Sequence, residues 1–157
     1  MLTAVLFDLD DTLLDRQASL TSFAWQQGRE RLGLRGAAAR RFVERFVRLD
    51  HRGRRWTKAV YRTLVAEFSL GTWTVEQLLA DYERGLPAFC VARDGGALRA
   101  LEALGMRRGL VSNGKAALQG RKLRAIGNAP LFDARVFPGA SLTGRAAECQ
   151  PRAWLLQ

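Results

Sequence analysis

An α/β fold, with a parallel sheet interrupted by an inserted α-helical segment, is predicted by three observations. Two short runs, Ala4 to Phe7, apolar throughout, and Met106 to Val111, apolar apart from Arg107 and Arg108, each stop at polar residues, as buried strands of a parallel sheet do. Between them, roughly residues 16–88 repeat apolar side chains at helical rather than strand spacing. Ahead of the second run, Leu98, Leu101 and Leu104 keep helical spacing and Gly105 follows as a C-cap. Helix, glycine and strand in that order make one half of a right-handed parallel crossover.

The first strand runs into Asp8-Leu9-Asp10-Asp11-Thr12-Leu13-Leu14-Asp15, four acids within eight positions. Asp8 and Asp10 lie two apart, so an extended chain would aim them the same way while Leu9 and Leu13 pack. Two carboxylates converging at the end of a strand form an oxygen site for a hard cation such as Mg²⁺, which takes one or two carboxylates plus substrate phosphate. The bland alternative is an Asp-rich turn that caps a helix.

The pattern Asp8, Asp10, Thr12 and Leu13 after an apolar strand resembles the first motif of the haloacid dehalogenase-like hydrolases, and Ser112-Asn113-Gly114 after the second run resembles their second. The resemblance implies a Rossmann-like parallel sheet carrying a helical cap. It also implies that Asp8 attacks phosphorus to form an aspartyl-phosphate, splitting one hard displacement into two easier ones. Asp10 would act as general acid and then general base. Dehalogenases and ion-pumping ATPases of the superfamily carry another residue type at that second position, so Asp10 favours a phosphatase. Thr12 would position, Ser112 and Asn113 would hold the phosphoryl group, and Gly114 would let the backbone approach an anion. Mg²⁺ would sit on Asp8 and the backbone carbonyl of Asp10.

The inserted segment should be a cap of four helices. Phe42, Phe46 and Leu49, then Trp56, Val60, Leu64 and Phe68, then Val75, Leu78, Leu79 and Tyr82 give helical stripes, and Gly33, Gly53, Gly71 and Pro87 punctuate them. Most of these aromatics should be cap core; Trp25 and Trp56 are the two to watch as substrate contacts. The expected division is a core of residues 1–15 and 89–157 around a cap of residues 16–88.

Beyond Ser112 a helix from Leu118 to Ile126 and a third strand from Ala134 to Phe137 continue the pattern, which then fails. The lysine that the family places after this strand has no counterpart, since Lys58, Lys115 and Lys122 all precede it. Arg145 or Arg152 would be a poor substitute, because a planar guanidinium does not replace a compact ammonium. The acidic fourth motif has no match. The resemblance therefore implies an incomplete core, in which the first strand becomes a sheet edge open to pairing with a second copy in a homodimer. A frameshift or premature stop would explain the loss of pattern after about Pro138.

Composition narrows the partners. At 157 residues and 48% hydrophobic, the chain can bury a core. No run approaches a membrane span. The start, Met1-Leu2-Thr3, lacks the features of a secretory signal, and Cys90 and Cys149 are too few for a disulfide framework or zinc site. A cytoplasmic protein is the expectation. The net charge of +10 favours anions, a small phosphorylated metabolite first. Nucleic acid is the rival, through the basic run from Arg29 to Arg55, but these arginines alternate with helical core positions as solvent-facing residues do. Only three of the 25 basic residues are lysines, a compositional habit rather than a designed face. His51, the single histidine, falls in a turn. The expectation is thus a Mg²⁺-dependent phosphatase acting on a small phosphate ester, with a catalytically inactive remnant or an anion-binding module as the alternative.

Overall fold

A computed structural model describes residues 3–93 and 95–137. In chain order the elements are β1 (Ala4–Phe7), β2 (Leu14–Asp15), α1 (Arg16–Gln26), α2 (Gly36–Asp50), α3 (Thr57–Glu67), α4 (Val75–Gly85), β3 (Val91–Ala92), α5 (Gly96–Ala103), β4 (Arg107–Val111), α6 (Ala116–Ala125) and β5 (Ala134–Val136). They divide into two compact units: Asp15–Val91 forms one, and the residues before and after it form the other. Among the described residues no helix is long and apolar enough to cross a membrane.

The α/β unit holds a parallel sheet in the order β1-β4-β5. Phe7 stands opposite Leu110, and Val111 opposite Val136. Leu98, Leu110, Leu123 and Phe132 are buried, and the Phe7 ring meets Phe132 edge-on at 6.0 Å, a favoured aromatic geometry. The alternate row fares differently. Leu6 opposite Gly109, and Val111 opposite Val136 two residues further on, share a face, and all three large side chains are exposed, Leu6 at 72%. Among the described residues β1 is an edge strand.

The helical unit packs α1 on α2, α2 on α3 and α3 on α4. Asp15 caps α1 by accepting from the N–H of Ala18 at 2.9 Å, and Thr74 and Gln77 form a reciprocal capping box on α4. Phe23, Phe42, Phe46, Tyr61, Leu64, Leu78 and Tyr82 fill the core, with Phe46 and Tyr61 ring centroids 5.1 Å apart. Trp56 departs from its expected stripe: it ends up 85% exposed, because it takes the extended N-cap position of α3 rather than a helical one.

Two polar devices lie inside this unit. A π-helical turn, Gln27–Arg31, follows α1. It buries Gln27, whose Oε1 accepts from Tyr61 Oη at 2.8 Å and whose Nε2 donates to Asp81 at 2.9 Å. Gly28 packs closely there: a Cβ would come within 3.2 Å of the Phe42 ring, which would have to shift by a few tenths of an ångström. The second device is a bidentate pair: Arg16 donates to both carboxylate oxygens of buried Asp50, at 2.7 and 3.0 Å. Asp50 also accepts from the N–H of Gly53 at 2.8 Å, closing a left-handed turn at His51 and Arg52. His51 is exposed on that turn.

Candidate active site

Downstream of β1 the chain folds into a tight turn. The buried Leu9 offers its carbonyl to the N–H groups of Leu13 and Leu14, both at 3.0 Å, while Asp11, at φ +62°, donates its N–H to Leu14. Leu9, Leu13 and Leu14 are buried beneath the turn, which sends the four acids in different directions. Asp15 caps α1. Asp11 lies 3.7 Å from Arg93. Asp8 is exposed and its carboxylate makes no hydrogen bond or ion pair among the described residues.

Asp10 is the acid bound into the fold. Its Oδ1 lies 2.5 Å from Lys122 Nζ and its Oδ2 accepts from Gln119 Nε2 at 3.0 Å. Lys122 is 2% exposed and the Asp10 side chain 21%. The same Gln119 amide reaches Ser112 Oγ at 2.8 Å and the Asn113 carbonyl at 2.7 Å, so two amide hydrogens serve three acceptors. Ser112 is itself buried and anchored by its N–H on the Val136 carbonyl at 3.1 Å. The ends of β1 and β4, about a hundred residues apart in sequence, are thus tied through one glutamine.

Gly114 makes the tie sterically feasible. It sits at φ +125°, and a Cβ there would lie 3.3 Å from Gln119 Cδ. Lys115 follows in extended conformation, and α6 starts at Ala116, two residues before the sequence reading places it. The helix therefore points Gln119, Lys122 and Leu123 inward.

Of the residues marked in the sequence, the structure brings Asp10 and Ser112 into one network. Thr12, Asn113 and Gly114 are exposed on the flanking turns, and Asn113 takes part through its backbone carbonyl. Gln119 and Lys122 were missed. Lys122 precedes the third strand and so seemed unrelated to the expected lysine. The signal was present all the same: Gln119, Lys122, Leu123 and Ile126 fall at helical spacing, which puts two polar residues on the buried stripe of an amphipathic helix, where unpartnered polar groups are costly. Arg145 and Arg152 lie outside the described residues.

No group of three or more acidic, histidine or cysteine side chains that would hold a metal occurs among the described residues. The donors at the end of β1 still fit Mg²⁺, which keeps several waters and uses one or two protein oxygens plus substrate phosphate. The exposed Asp8 carboxylate and the Asp10 backbone carbonyl would hold it, since the Asp10 carboxylate is taken by Lys122 and Gln119.

A parallel sheet with polar side chains gathered at the carboxyl ends of its strands is the setting in which α/β units carry their ligand sites. The chain belongs to the haloacid dehalogenase-like hydrolases, whose family model matches residues 2–155. Among solved structures it is similar to the hydrolase YfnB of Bacillus subtilis, bound to magnesium (TM-score 0.60, 22% identity, 87% of this chain and 63% of that one). It is similar also to a family hydrolase of Deinococcus radiodurans R1 with bound phosphate and sodium (0.57, 22%, 89% and 61%). The L-2-haloacid dehalogenase of Xanthobacter autotrophicus shares the fold as well (0.56, 21%, 87% and 57%). The chain spans less than two thirds of the length of each of these three. No curated protein matches it.

Proposed function

We propose that this chain is built for Mg²⁺-dependent hydrolysis of a small phosphate ester through an aspartyl-phosphate on Asp8. The observation that carries this reading is the network of Asp10, Gln119 and Ser112, with Lys122 paired to Asp10, two residues along the chain from an exposed Asp8. An exposed carboxylate suits a nucleophile that must meet phosphorus in line. A second carboxylate, fixed by two partners, suits proton transfer.

In the first step an Asp8 oxygen bonds to phosphorus as the ester P–O bond breaks, and Asp10, which enters the step protonated and released from its ion pair with Lys122, gives the leaving oxygen that proton. In the second, water attacks the phosphorus, Asp10 takes the water's proton, and the acyl-phosphate P–O bond breaks to release orthophosphate and restore Asp8. Ser112 Oγ and the backbone around Gly114 orient the phosphoryl oxygens, and Gln119 keeps Ser112 in register with Asp10. Mg²⁺, when bound, supplies positive charge against those oxygens. Lys122 adds a fixed cation from α6, in the absence of the lysine the family places after the third strand. The magnesium in YfnB and the phosphate in the Deinococcus hydrolase support this chemistry by likeness of fold. A small phosphorylated metabolite as substrate implies the cytoplasm as the compartment of this reading.

Hydrolysis of p-nitrophenyl phosphate with Mg²⁺, compared between the unaltered chain and Asp8→Asn, tests the proposal. A loss of about 10³-fold or more in the variant is expected, the scale of an abolished nucleophile. Equal background in both supports a second reading, an anion-binding module without turnover. That reading is favoured by the Asp10 carboxylate, both of whose oxygens are engaged by Lys122 and Gln119.

A further inference from the structure

On the helical unit two concavities of 640 and 870 Å³ share Trp25, Arg29 and Arg35. We infer that this shared wall is a binding site for an aromatic phosphate of the nucleoside monophosphate class, and the inference is independent of the hydrolytic reading. Both volumes fall in the range of about 300 to 1,000 Å³ typical of small-molecule sites.

Three observations give the site its chemistry. Trp25 is half-buried at the junction of the two concavities, off the stripe of α1 that carries Phe23 and Ala24 into the core. An indole held in that way offers a stacking surface to a planar ring. Around it the smaller concavity is lined by Arg29, Arg35, Arg40 and Arg41 against a single acid, Glu44. Fork-shaped guanidinium groups match phosphate oxygens.

The third observation is preorganisation. Arg35 Nη1 donates to the carbonyls of Arg29 and Leu34 at 2.7 and 3.2 Å, which fixes the guanidinium before a ligand arrives and leaves its remaining donors for one. The π-helical turn sorts the neighbouring cations: Arg31 turns to Asp81 at 3.3 Å, while Arg29 lines both concavities. Such turns often mark functional positions. Arg41 stands over the Phe68 ring at 5.5 Å, so Arg29, Arg35 and Arg40 are the cations assigned to the phosphate. Charge alone would accept any anion; Trp25 selects one that carries a flat ring.

The test is calorimetric titration of the full chain with adenosine 5′-monophosphate in EDTA, which removes metal-dependent binding, beside adenosine and inorganic phosphate as separate probes. Saturable binding of the nucleotide is expected, with each half-ligand at least tenfold weaker. Trp25→Ala, and separately Arg29→Ala with Arg40→Ala, should weaken the nucleotide at least tenfold, and Trp25→Phe should restore part of it. The inference is overturned if the nucleotide does not bind, if Trp25→Ala binds it normally, or if inorganic phosphate binds equally well. It is also overturned if Ser112→Ala abolishes binding, which would place the phosphate on the α/β unit. A salt-sensitive affinity for oligonucleotides without affinity for the mononucleotide would overturn it too.

Discussion

Lys122 Nζ lies 2.5 Å from Asp10 Oδ1, joining a buried ammonium on α6 to a carboxylate in the turn after β1. Breaking a buried pair by removing one partner leaves the other charge uncompensated. Lys122→Met should therefore destabilise the α/β unit by about 1–3 kcal/mol, below the fully buried figure because Asp10 retains some solvent. Pairing it with Asp10→Asn should recover part of the loss. Urea denaturation of the two single variants and the double variant measures this, and strict additivity would show that the pair is not coupled.

Gly114 occupies a backbone region that side chains seldom adopt, and its Cα faces Gln119. Gly114→Ala should cost about 1–3 kcal/mol through backbone strain and push the Gln119 amide off Ser112. Loss of thermal stability together with weaker phosphate binding is the expected result. An unchanged phosphate affinity would show that Gln119 does not set the Ser112 position.

In the helical unit the heaviest single polar commitment is Asp50, which accepts two bonds from Arg16 and one from Gly53. Asp50→Ala removes the bidentate acceptor of a largely buried guanidinium and should cost about 2–4 kcal/mol. A melting temperature within a degree or two of the unaltered chain would contradict the role given to this pair.

Tyr61 links the fold to alkaline pH. Burial pushes its hydroxyl well above the ordinary value of 10.0, so the unfolded chain ionises first. The Tyr61 contribution is complete below about pH 10 and declines as pH rises through the folded value. Tyr61→Phe should remove that part of the alkaline slope while costing about 1–3 kcal/mol at neutral pH, because Gln27 Oε1 loses its donor. At the acid end the signs reverse. Hydrogen bonds from Arg45 and Lys58 hold the Glu67 and Glu76 carboxyls below 4.5, so their contribution is present above that value and fades as pH falls.

Much of this was legible in the sequence, and the parts that were not share a cause. Strand β1 could be read because a continuous apolar run has few other uses, and β4 and β5 because a helix and a glycine turn precede each of them. Ser112 and Gly114 could be read because they stand where β4 stops. Lys122 and Gln119 were hidden because their partner, Asp10, is more than a hundred positions away and only the tertiary fold supplies it. Gln27 was hidden for the same reason: nothing local announces that a glutamine will answer a tyrosine and an aspartate inside an aromatic core. Trp56 misled because it sits in register with an apolar stripe yet falls one residue outside the helix.

The exposed Leu6, and the edge that β1 forms among the described residues, predict self-association. An apolar strand at a sheet edge pairs readily with another copy, and light scattering at micromolar concentration should find dimers that Leu6→Lys reduces to monomers. A monodisperse monomer of the unaltered chain would contradict pairing at this edge.

The most direct measurement is peptide mass mapping of Asp10→Asn after acid quench from a phosphate ester and Mg²⁺. This variant keeps the nucleophile and lacks the base for the second step; with p-nitrophenyl phosphate as the ester it does not need the acid of the first, because nitrophenolate leaves unprotonated. A stable phosphoryl adduct on Asp8 is the predicted result. An unmodified Asp8, or an adduct on any other side chain, would contradict the aspartyl-phosphate route.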